Sequence, residues 1–219
     1  MMTFRYLLCI VVIIVLSGCE ERTQAESYDR TAFLTARPMT LLLMPPTSKA
    51  VNVNAVAAVW AQAARPLAEA GYYVLPITLV DETFRQNGIS SGDEAAEVPF
   101  EKLRSVFGAD AAVYIEVSEY TETEVEIAAR IVDLRSGDLL WQGETRASAT
   151  EYIILRGRGG IGDVLVLLAG LFISHAVDTL TDKAYDVAGV ADQQLFTVHG
   201  NHGLVPGPHV RTRDEKQAE

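Results

Sequence analysis

The chain has 219 residues and a formal charge of −11, from 18 Lys and Arg against 29 Asp and Glu. An acidic chain lacks the clustered positive charge that a phosphate backbone requires, so we expect no nucleic-acid partner. The same charge argues against electrostatic adhesion of the whole chain to anionic lipid headgroups. The length is sufficient for one domain of about 120–150 residues with flanking segments.

The N-terminus has the organisation of a signal peptide. Arg5 precedes an uncharged apolar run over 6–16, which is too short to cross a bilayer because a span needs about 20 apolar residues. The run ends in the lipobox pattern of bacterial lipoproteins, an aliphatic residue, two small residues and a cysteine: Leu16, Ser17, Gly18 and Cys19. We therefore predict a lipoprotein signal peptide over 1–18 and acylation of the Cys19 sulfur.

Cleavage before Cys19 decides the remaining cysteine chemistry. Cys9 leaves with the signal peptide, so the mature chain has no disulfide and no cysteine metal site. Stable attachment requires at least two acyl chains. Glu20 takes the second mature position, where an Asp retains enterobacterial lipoproteins in the inner membrane. We expect a lipid-anchored protein of the outer membrane whose domain faces the periplasm.

After a polar tether over 19–38, the chain alternates between strand and helix patterns. A short apolar run over 39–44 predicts a strand that ends at Pro45 and Pro46. An Ala-rich helix follows over 55–70, with Asn52 or Asn54 as its cap and Gly71 as its end. Further patterns predict a strand over 72–76, a helix over 80–86, a polar loop over 90–97 and a helix over 100–107 ended by Gly108.

Three consecutive strands come next. Alternation is clearest over 110–120 and continues over 124–131, and the third strand presents an inner set of Leu139, Trp141, Gly143 and Thr145. Short turns between them predict an antiparallel meander with one apolar and one charged face. A long helix is predicted from Asp163 to about Val187, and a Gly-, Pro- and His-rich tail over 191–219 is expected to be largely disordered.

These elements run in the order β-α-β-α-α-β-β-β-α. The first half predicts parallel pairing and the second half antiparallel pairing. We therefore expect an α/β (α+β) domain over 39–190, built on a single mixed sheet with helices packed against it.

The apolar run over 164–173 cannot cross a bilayer. A helix that is apolar on all sides must be buried, either against its own sheet or in a partner or second copy. Burial in the domain's own core is the favoured interpretation. In the alternative interpretation, the helix is buried in a partner or second copy, and the interface consists of Val164, Leu165, Leu168, Leu171 and Phe172.

Several motifs have simpler explanations than catalysis or ligand binding. The G-x-G-x-x-G pattern of Gly157, Gly159 and Gly162 lacks a following parallel strand and is interpreted as a hinge. Packing is favoured for His175, and no scaffold is evident for a metal at His199, His202 and His209. The glutamates alternate onto a solvated face: Glu116, Glu119, Glu122, Glu124 and Glu126. We expect no catalytic residues, no cofactor and no metal.

Several segments together resemble a family of bacterial lipoproteins of unknown function typified by a meningococcal surface antigen. They are Leu43–Pro46, Arg65–Glu69, Gly71–Pro76, Val106–Ile115 and Ala129–Asp138 with Leu140 and Trp141. The Gly-Ala-Asp-Ala phrase and the strands after it also resemble the N-terminal domain of TolB-like proteins. Members of the family are often encoded beside a curli-secretion-channel-like lipoprotein, so the resemblance implies an envelope partner of that kind.

Three functions remain to be distinguished. The first is a non-enzymatic accessory or assembly component of an envelope transport or secretion system that docks onto other envelope lipoproteins, with a homodimer as one form. The second is a periplasmic small-ligand-binding transport auxiliary, which needs a pocket with convergent polar groups. The third, a hydrolase, needs a nucleophile and base in contact, and the sequence has neither G-x-S-x-G nor H-E-x-x-H.

Overall fold

The structure is a computed structural model that describes residues 30–50, 52, 54–149, 183–198 and 203–210. Its helices are α1 (Thr31–Ala36), α2 (Ala55–Glu69), α3 (Ile77–Gln86), α4 (Gly92–Ala96), α5 (Phe100–Phe107) and α6 (Lys183–Leu195). Its strands are β1 (Thr40–Leu43), β2 (Thr47–Ser48), β3 (Tyr73–Val74), β4 (Ala111–Tyr120), β5 (Glu124–Asp133) and β6 (Leu139–Ser148).

All the strands belong to one mixed sheet in the order β3-β1-β4-β5-β6, with β2 beside β4. Thr40 pairs with Tyr73 and Leu41 with Ala111, both in parallel register. Strands β4, β5 and β6 form an antiparallel meander. The predicted fold class is therefore confirmed: the first half of the chain pairs in parallel and the second half antiparallel.

Two prolines divide what would otherwise be one strand along β4. The Met44 N–H donates to the Val113 carbonyl at 3.0 Å, and the Lys49 N–H donates to the Val117 carbonyl at 2.9 Å. Pro45 and Pro46 lie between these bonds and have no N–H to give. The run over 39–44 thus ends where predicted, but the chain resumes pairing as β2 instead of leaving the sheet.

The sheet is covered by helices on both faces. One core cluster joins Phe33 of α1 with apolar side chains of α2, α6 and the inner face of the sheet. A second cluster on the opposite face joins Leu42, Ala112 and Tyr114 with side chains of α3 and α5. The prediction that one face of the sheet is exposed to solvent is therefore wrong for the first half of β4. Residues there are buried on both faces, because helices cover both sides of the sheet at that point.

A bulge near the start of β6 corrects the predicted inner set. Ile131 pairs with Trp141 but Val132 pairs with Leu139, so Leu140 is an extra residue. Leu140 and Trp141 are both buried, whereas Leu139 is 46% exposed. The prediction that Leu139 points inward is wrong, because strict alternation does not survive an inserted residue.

Alanine substitutions at Leu139 and Leu140 test the bulged register between β5 and β6. We expect Leu140→Ala to lower the free energy of unfolding by about 2–5 kcal/mol, since it removes a buried side chain. Leu139→Ala, one residue away, is expected to cost no more than about 0.5 kcal/mol, as at other surface positions. Urea unfolding of both variants measures the difference; equal losses would contradict the bulge.

Part of the expected tether belongs to the domain. Residues 31–36 form α1, and Phe33 is buried with its ring centroid 6.2 Å from that of Tyr72. Leu34 and Met39 remain exposed, so the segment is polar on average yet anchored by one aromatic residue. The tether over 19–29 lies outside the described residues and stays a prediction.

The C-terminal segment is ordered where disorder was expected. Helix α6 extends to Leu195 instead of ending near Val187, and Phe196, Leu204 and Val205 are buried. The Tyr72 hydroxyl donates to the Val205 carbonyl. The prediction for the tail is therefore wrong over 191–198 and 203–210, because a few large apolar side chains hold a segment whose composition is otherwise that of a loop.

Backbone contacts fix the last described residues against the end of α2. The Gly207 N–H donates to the Ala70 carbonyl at 2.7 Å, and the His209 N–H donates to the Gly71 carbonyl at 2.9 Å. Gly71 has φ +93°, and a Cβ there would lie 2.5 Å from the Val210 nitrogen. Glycine at 71 is thus required both by the left-handed turn and by the close approach of the C-terminal segment.

Candidate functional site

A crevice opens at the carboxyl end of β1. The chain leaves β1 through α2 to reach β3 on one side, and later reaches β4 on the other side of β1. In open α/β sheets this reversal of strand order is the place where ligands bind, because the connections diverge and leave a gap. Here the gap has a volume of about 670 Å³.

Aromatic, hydroxyl and carboxylate groups line this crevice. The Trp60 indole N–H donates to the Leu43 carbonyl at 3.2 Å, which fixes the half-buried ring over the end of β1. The polar lining comes from β2, α3, the loop before α4 and the first turn of α4: Thr47, Ser48, Thr78, Asp81, Ser90, Ser91 and Asp93. An aromatic ring surrounded by hydroxyl and carboxylate groups suits a small polar molecule with an apolar face.

Helix α4 closes one side of the crevice. The Ser91 hydroxyl accepts the Glu94 N–H at 3.2 Å, and the Glu94 carboxylate accepts the Ser90 N–H at 2.8 Å. That bond from Ser90 lowers the pKa of the exposed Glu94 carboxyl. A Cβ at Gly92 would lie 2.2 Å from the Pro46 carbonyl oxygen, so only glycine lets α4 rest directly on the proline pair.

A second groove, of about 610 Å³, runs over the outer face of β4, β5 and β6 and shares Pro45 and Thr47 with the crevice. The Arg130 guanidinium carbon lies 4.7 Å from the centroid of the Tyr114 ring, a cation–π contact. Burial raises the pKa of the Tyr114 hydroxyl, and the nearby Arg130 charge opposes that rise. The groove thus has an aromatic floor with a positive charge above it.

The turn between β4 and β5 carries concentrated negative charge. We call Glu119, Glu122, Glu124 and Glu126 the acidic hairpin. Glu119 pairs directly with Glu126 across the strands, which is unfavourable between like charges. Arg146 of β6 contacts Glu126 and lies 3.1 Å from Glu124, while Glu119 and Glu122 have no ion-pair partner among the described residues.

Two basic side chains, Arg146 and Lys49, form ion pairs with glutamates of this meander. The hydrogen bond to Glu126, followed by the charges of Glu124 and Glu126, raises the pKa of Arg146. Lys49 of the loop after β2 lies 2.5 Å from Glu116. The carboxylates of this meander are therefore solvated and partly ion-paired, in agreement with the solvated face predicted for them.

The structure leaves several predicted positions undescribed. The lipobox and Cys19 lie outside the described residues, and so does the G-x-G-x-x-G segment. The same is true of three histidines, His175, His199 and His202, and of the predicted interface residues Val164, Leu165, Leu168, Leu171 and Phe172. His209 is exposed at the end of the described chain. Among the described residues, no group of His, Cys, Asp and Glu could hold a metal ion. No described helix is long and apolar enough to cross a membrane.

Sequence reasoning missed one buried titratable residue. Asp192 of α6 is fully buried, and neither carboxylate oxygen has a hydrogen-bond partner in the part of the chain that the structure describes. Burial raises the pKa of this carboxyl well above its ordinary value. The signal was present, because Ala184, Ala188 and Ala191 mark the buried face of the same helix, but the helix was expected to end earlier.

Comparison with known proteins decides the family. The family model described as "Putative lipoprotein GNA1162-like" matches residues 28–209. The chain belongs to the GNA1162-like lipoprotein family. The family resemblance noted from the residues is thereby confirmed, and membership identifies the chain as one of a lipoprotein family.

One sequence relative and two solved structures are among the proteins similar to this chain. The chain is 35% identical over 210 residues to "Putative lipoprotein NMB1124/NMB1162" of Neisseria meningitidis serogroup B, a match that covers 92% of this chain and 94% of the relative. The crystal structure of lipoprotein GNA1162 from Neisseria meningitidis is 37% identical, with TM-score 0.49 over 66% of this chain and 100% of that chain. The C-terminal domain of LpoB from Salmonella enterica is 13% identical, with TM-score 0.42 over 50% and 82%.

Proposed function

We propose that this GNA1162-like lipoprotein is a non-enzymatic accessory or assembly component of a cell-envelope transport or secretion system. It is held to the outer membrane by acyl chains on Cys19 and faces the periplasm. The observation that carries the proposal is the lipobox before Cys19 in a chain whose residues 28–209 match a lipoprotein family. The non-enzymatic part rests on the sequence, which has no recognisable catalytic motif.

The acidic hairpin is the surface proposed to dock the partner. Three of its glutamates lie on the antiparallel pair of β4 and β5, and Glu122 lies in the turn between them. Glu119 and Glu122 lack an ion-pair partner among the described residues. Like charges held together are relieved by a basic surface, which also speeds and orients association. The charge of the hairpin requires a partner surface that presents Lys or Arg, and the family resemblance implies that the partner is another envelope lipoprotein of the curli-channel-like kind.

Charge reversal tests this surface. We expect Glu119→Lys combined with Glu122→Lys to abolish recovery of the partner after crosslinking in intact cells, because attraction becomes repulsion. The matched control is Glu97→Lys with Glu101→Lys, which changes the net charge equally at exposed positions away from the hairpin. Mass spectrometry of the crosslinked species is the measurement. The proposal fails if the parent recovers no envelope protein, or if both double variants recover the same amount.

A second candidate function, a small-ligand-binding transport auxiliary, is favoured by the crevice at the carboxyl end of β1. Its position at the strand-order reversal and its Trp60 ring with surrounding hydroxyl groups are what such a site needs. Native mass spectrometry of the protein purified from the envelope is expected to show a bound small molecule.

A variant that fills the crevice gives the control for this second function. Ala57 lines the crevice and is exposed, so Ala57→Trp is expected to remove the bound mass without disturbing the core. Ala61→Trp, at an exposed position of the same helix outside the lining, is expected to retain it. An unoccupied parent protein would reject the auxiliary function and leave the docking proposal intact.

A further inference from the structure

Both ends of the described domain meet at one end of the sheet. We call it the α1 end: the starts of β1, β3 and β4, the β5–β6 turn, and α1. The Arg135 guanidinium of that turn donates to the Ala36 carbonyl at 3.2 Å. The Asp110 carboxylate before β4 accepts the Met39 N–H at 3.0 Å. Gly207, near the last described residue, bonds to Ala70 just before β3.

Exposed apolar side chains concentrate at the α1 end. Leu34 is 56% exposed, Met39 52% and Tyr73 55%, and Leu139 lies at the start of β6 with similar exposure. Met39 and Tyr73 are adjacent, since the Tyr73 N–H donates to the Met39 carbonyl at 3.0 Å. Leucine, methionine and tyrosine side chains grouped on one surface are typical of an interface with protein or with lipid.

The acidic hairpin lies at the opposite end of the sheet from α1. The charged groups at the α1 end are close to balance, with four basic side chains, Arg30, Arg37, Arg104 and Arg135, near four acidic ones, Glu101, Asp110, Asp133 and Asp138. The acidic hairpin lies at the other end of β4, and the ten residues of that strand span roughly 33 Å. An anionic surface therefore repels the hairpin far more than the α1 end.

The anchor is attached on the α1 side of the domain. Arg30 follows Cys19 by eleven residue steps, which reach at most roughly 40 Å when fully extended. Arg30 immediately precedes α1, so the acyl chains enter the bilayer within that distance of the α1 end. This reach exceeds the roughly 33 Å span of β4, so the exposed apolar side chains and the charge distribution, and not the tether length, favour the α1 end as the membrane-facing end.

We propose that the α1 end rests on the headgroup surface of the bilayer that holds the acyl chains. Leu34, Met39 and Tyr73 enter the interfacial region, where side chains with apolar bodies are favoured. The acidic hairpin then points away from the membrane toward partners. The inference rests on the proposed lipid anchor, but it adds an orientation that the anchor alone does not supply.

The test places one fluorescent label at a time on the acylated mature chain. Its native cysteine, Cys19, is blocked by lipid, so a single introduced cysteine is the only labelling site. Leu34→Cys and Tyr73→Cys report on the α1 end. Leu79→Cys is the matched control, a leucine of the same 56% exposure on α3, and Glu122→Cys reports on the hairpin. The proteins are inserted in phosphatidylethanolamine vesicles containing a minority of phosphatidylglycerol.

We expect several-fold lower quenching by aqueous iodide at positions 34 and 73 than at 79 and 122, with quenching by brominated phospholipids at 34 and 73 alone. Equal iodide access at all four positions would overturn the inference, and so would shielding of position 122. Shielding of 34 and 73 that persists in detergent micelles would indicate a second copy or another protein instead of lipid. Failure of the protein to sediment with vesicles at all would refute the anchor itself.

Discussion

Phe196→Ala is expected to lower the free energy of unfolding by about 3–5 kcal/mol, as for other buried phenylalanines. Phe196 is 1% exposed and its ring centroid lies 5.9 Å from that of Trp141, which is equally buried. The substitution therefore leaves a cavity between α6 and the bulged start of β6. A loss of this size would show that the segment after α6 is part of the cooperative fold.

The measurement is urea unfolding of the mature chain carrying Cys19→Ser, so that lipid does not contribute. Val210→Ala is the matched control, since Val210 belongs to the same segment but is 41% exposed. We expect it to change the free energy of unfolding by less than about 0.5 kcal/mol. A loss below about 1 kcal/mol for Phe196→Ala would mean that this end of the chain is not held as the structure shows.

Asp192→Asn is expected to make the protein more stable at neutral and alkaline pH, by on the order of 2 kcal/mol. The carboxyl is fully buried without a hydrogen-bond partner among the described residues, and burial raises its pKa in the folded state. Above the ordinary pKa of an aspartate, the folded chain therefore binds more protons than the unfolded chain. Stability from this group must then fall as the pH rises from about 4 toward the folded-state pKa.

The pH dependence expected for Asp192 is opposite in direction to that of the exposed, ion-paired carboxylates. Ion-paired surface carboxylates gain stability with rising pH, so an unfolding series from pH 4 to 8 distinguishes the two. We expect the difference between Asp192→Asn and the parent to grow along the series and to be small at pH 4. Asp186→Asn, a half-exposed position on the same helix, is the control. A constant difference at all pH values would refute the buried titration.

Local sequence signals predicted most of the sheet and several helices. Periodicity and the residues that end elements predicted helix α2 over Ala55–Glu69 and the three strands of the meander. They also predicted that helix α5 ends at Gly108, which has φ +67°. Helix α4 was expected to be a loop, because Ser90 to Glu97 has too few apolar residues to indicate a helix. Its stability comes from Ser91 and Glu94 at its start and from contact with Pro46.

The candidate site was less predictable than the fold. The acidic hairpin could be read from alternation, since Glu124 and Glu126 share one face of a strand. The crevice could not, because Trp60, Asp81 and Ser91 come from separate elements that only the crossing of the chain over β1 brings together. The buried state of Asp192 was equally hidden, since it depends on packing of α6 against α2 and the sheet.

By itself the sequence determined the lipobox, the acidic charge, the three strands of the meander and the helices α2 and α5, because each depends on residues that are neighbours along the chain. The tertiary structure decided that the first and last described segments pack into the domain. Phe33, Phe196, Leu204 and Val205 come from segments that are polar or rich in glycine and proline, and they are nevertheless buried. The reason is physical: burial of a large apolar side chain depends on a complementary surface distant in sequence, and average composition does not report that surface.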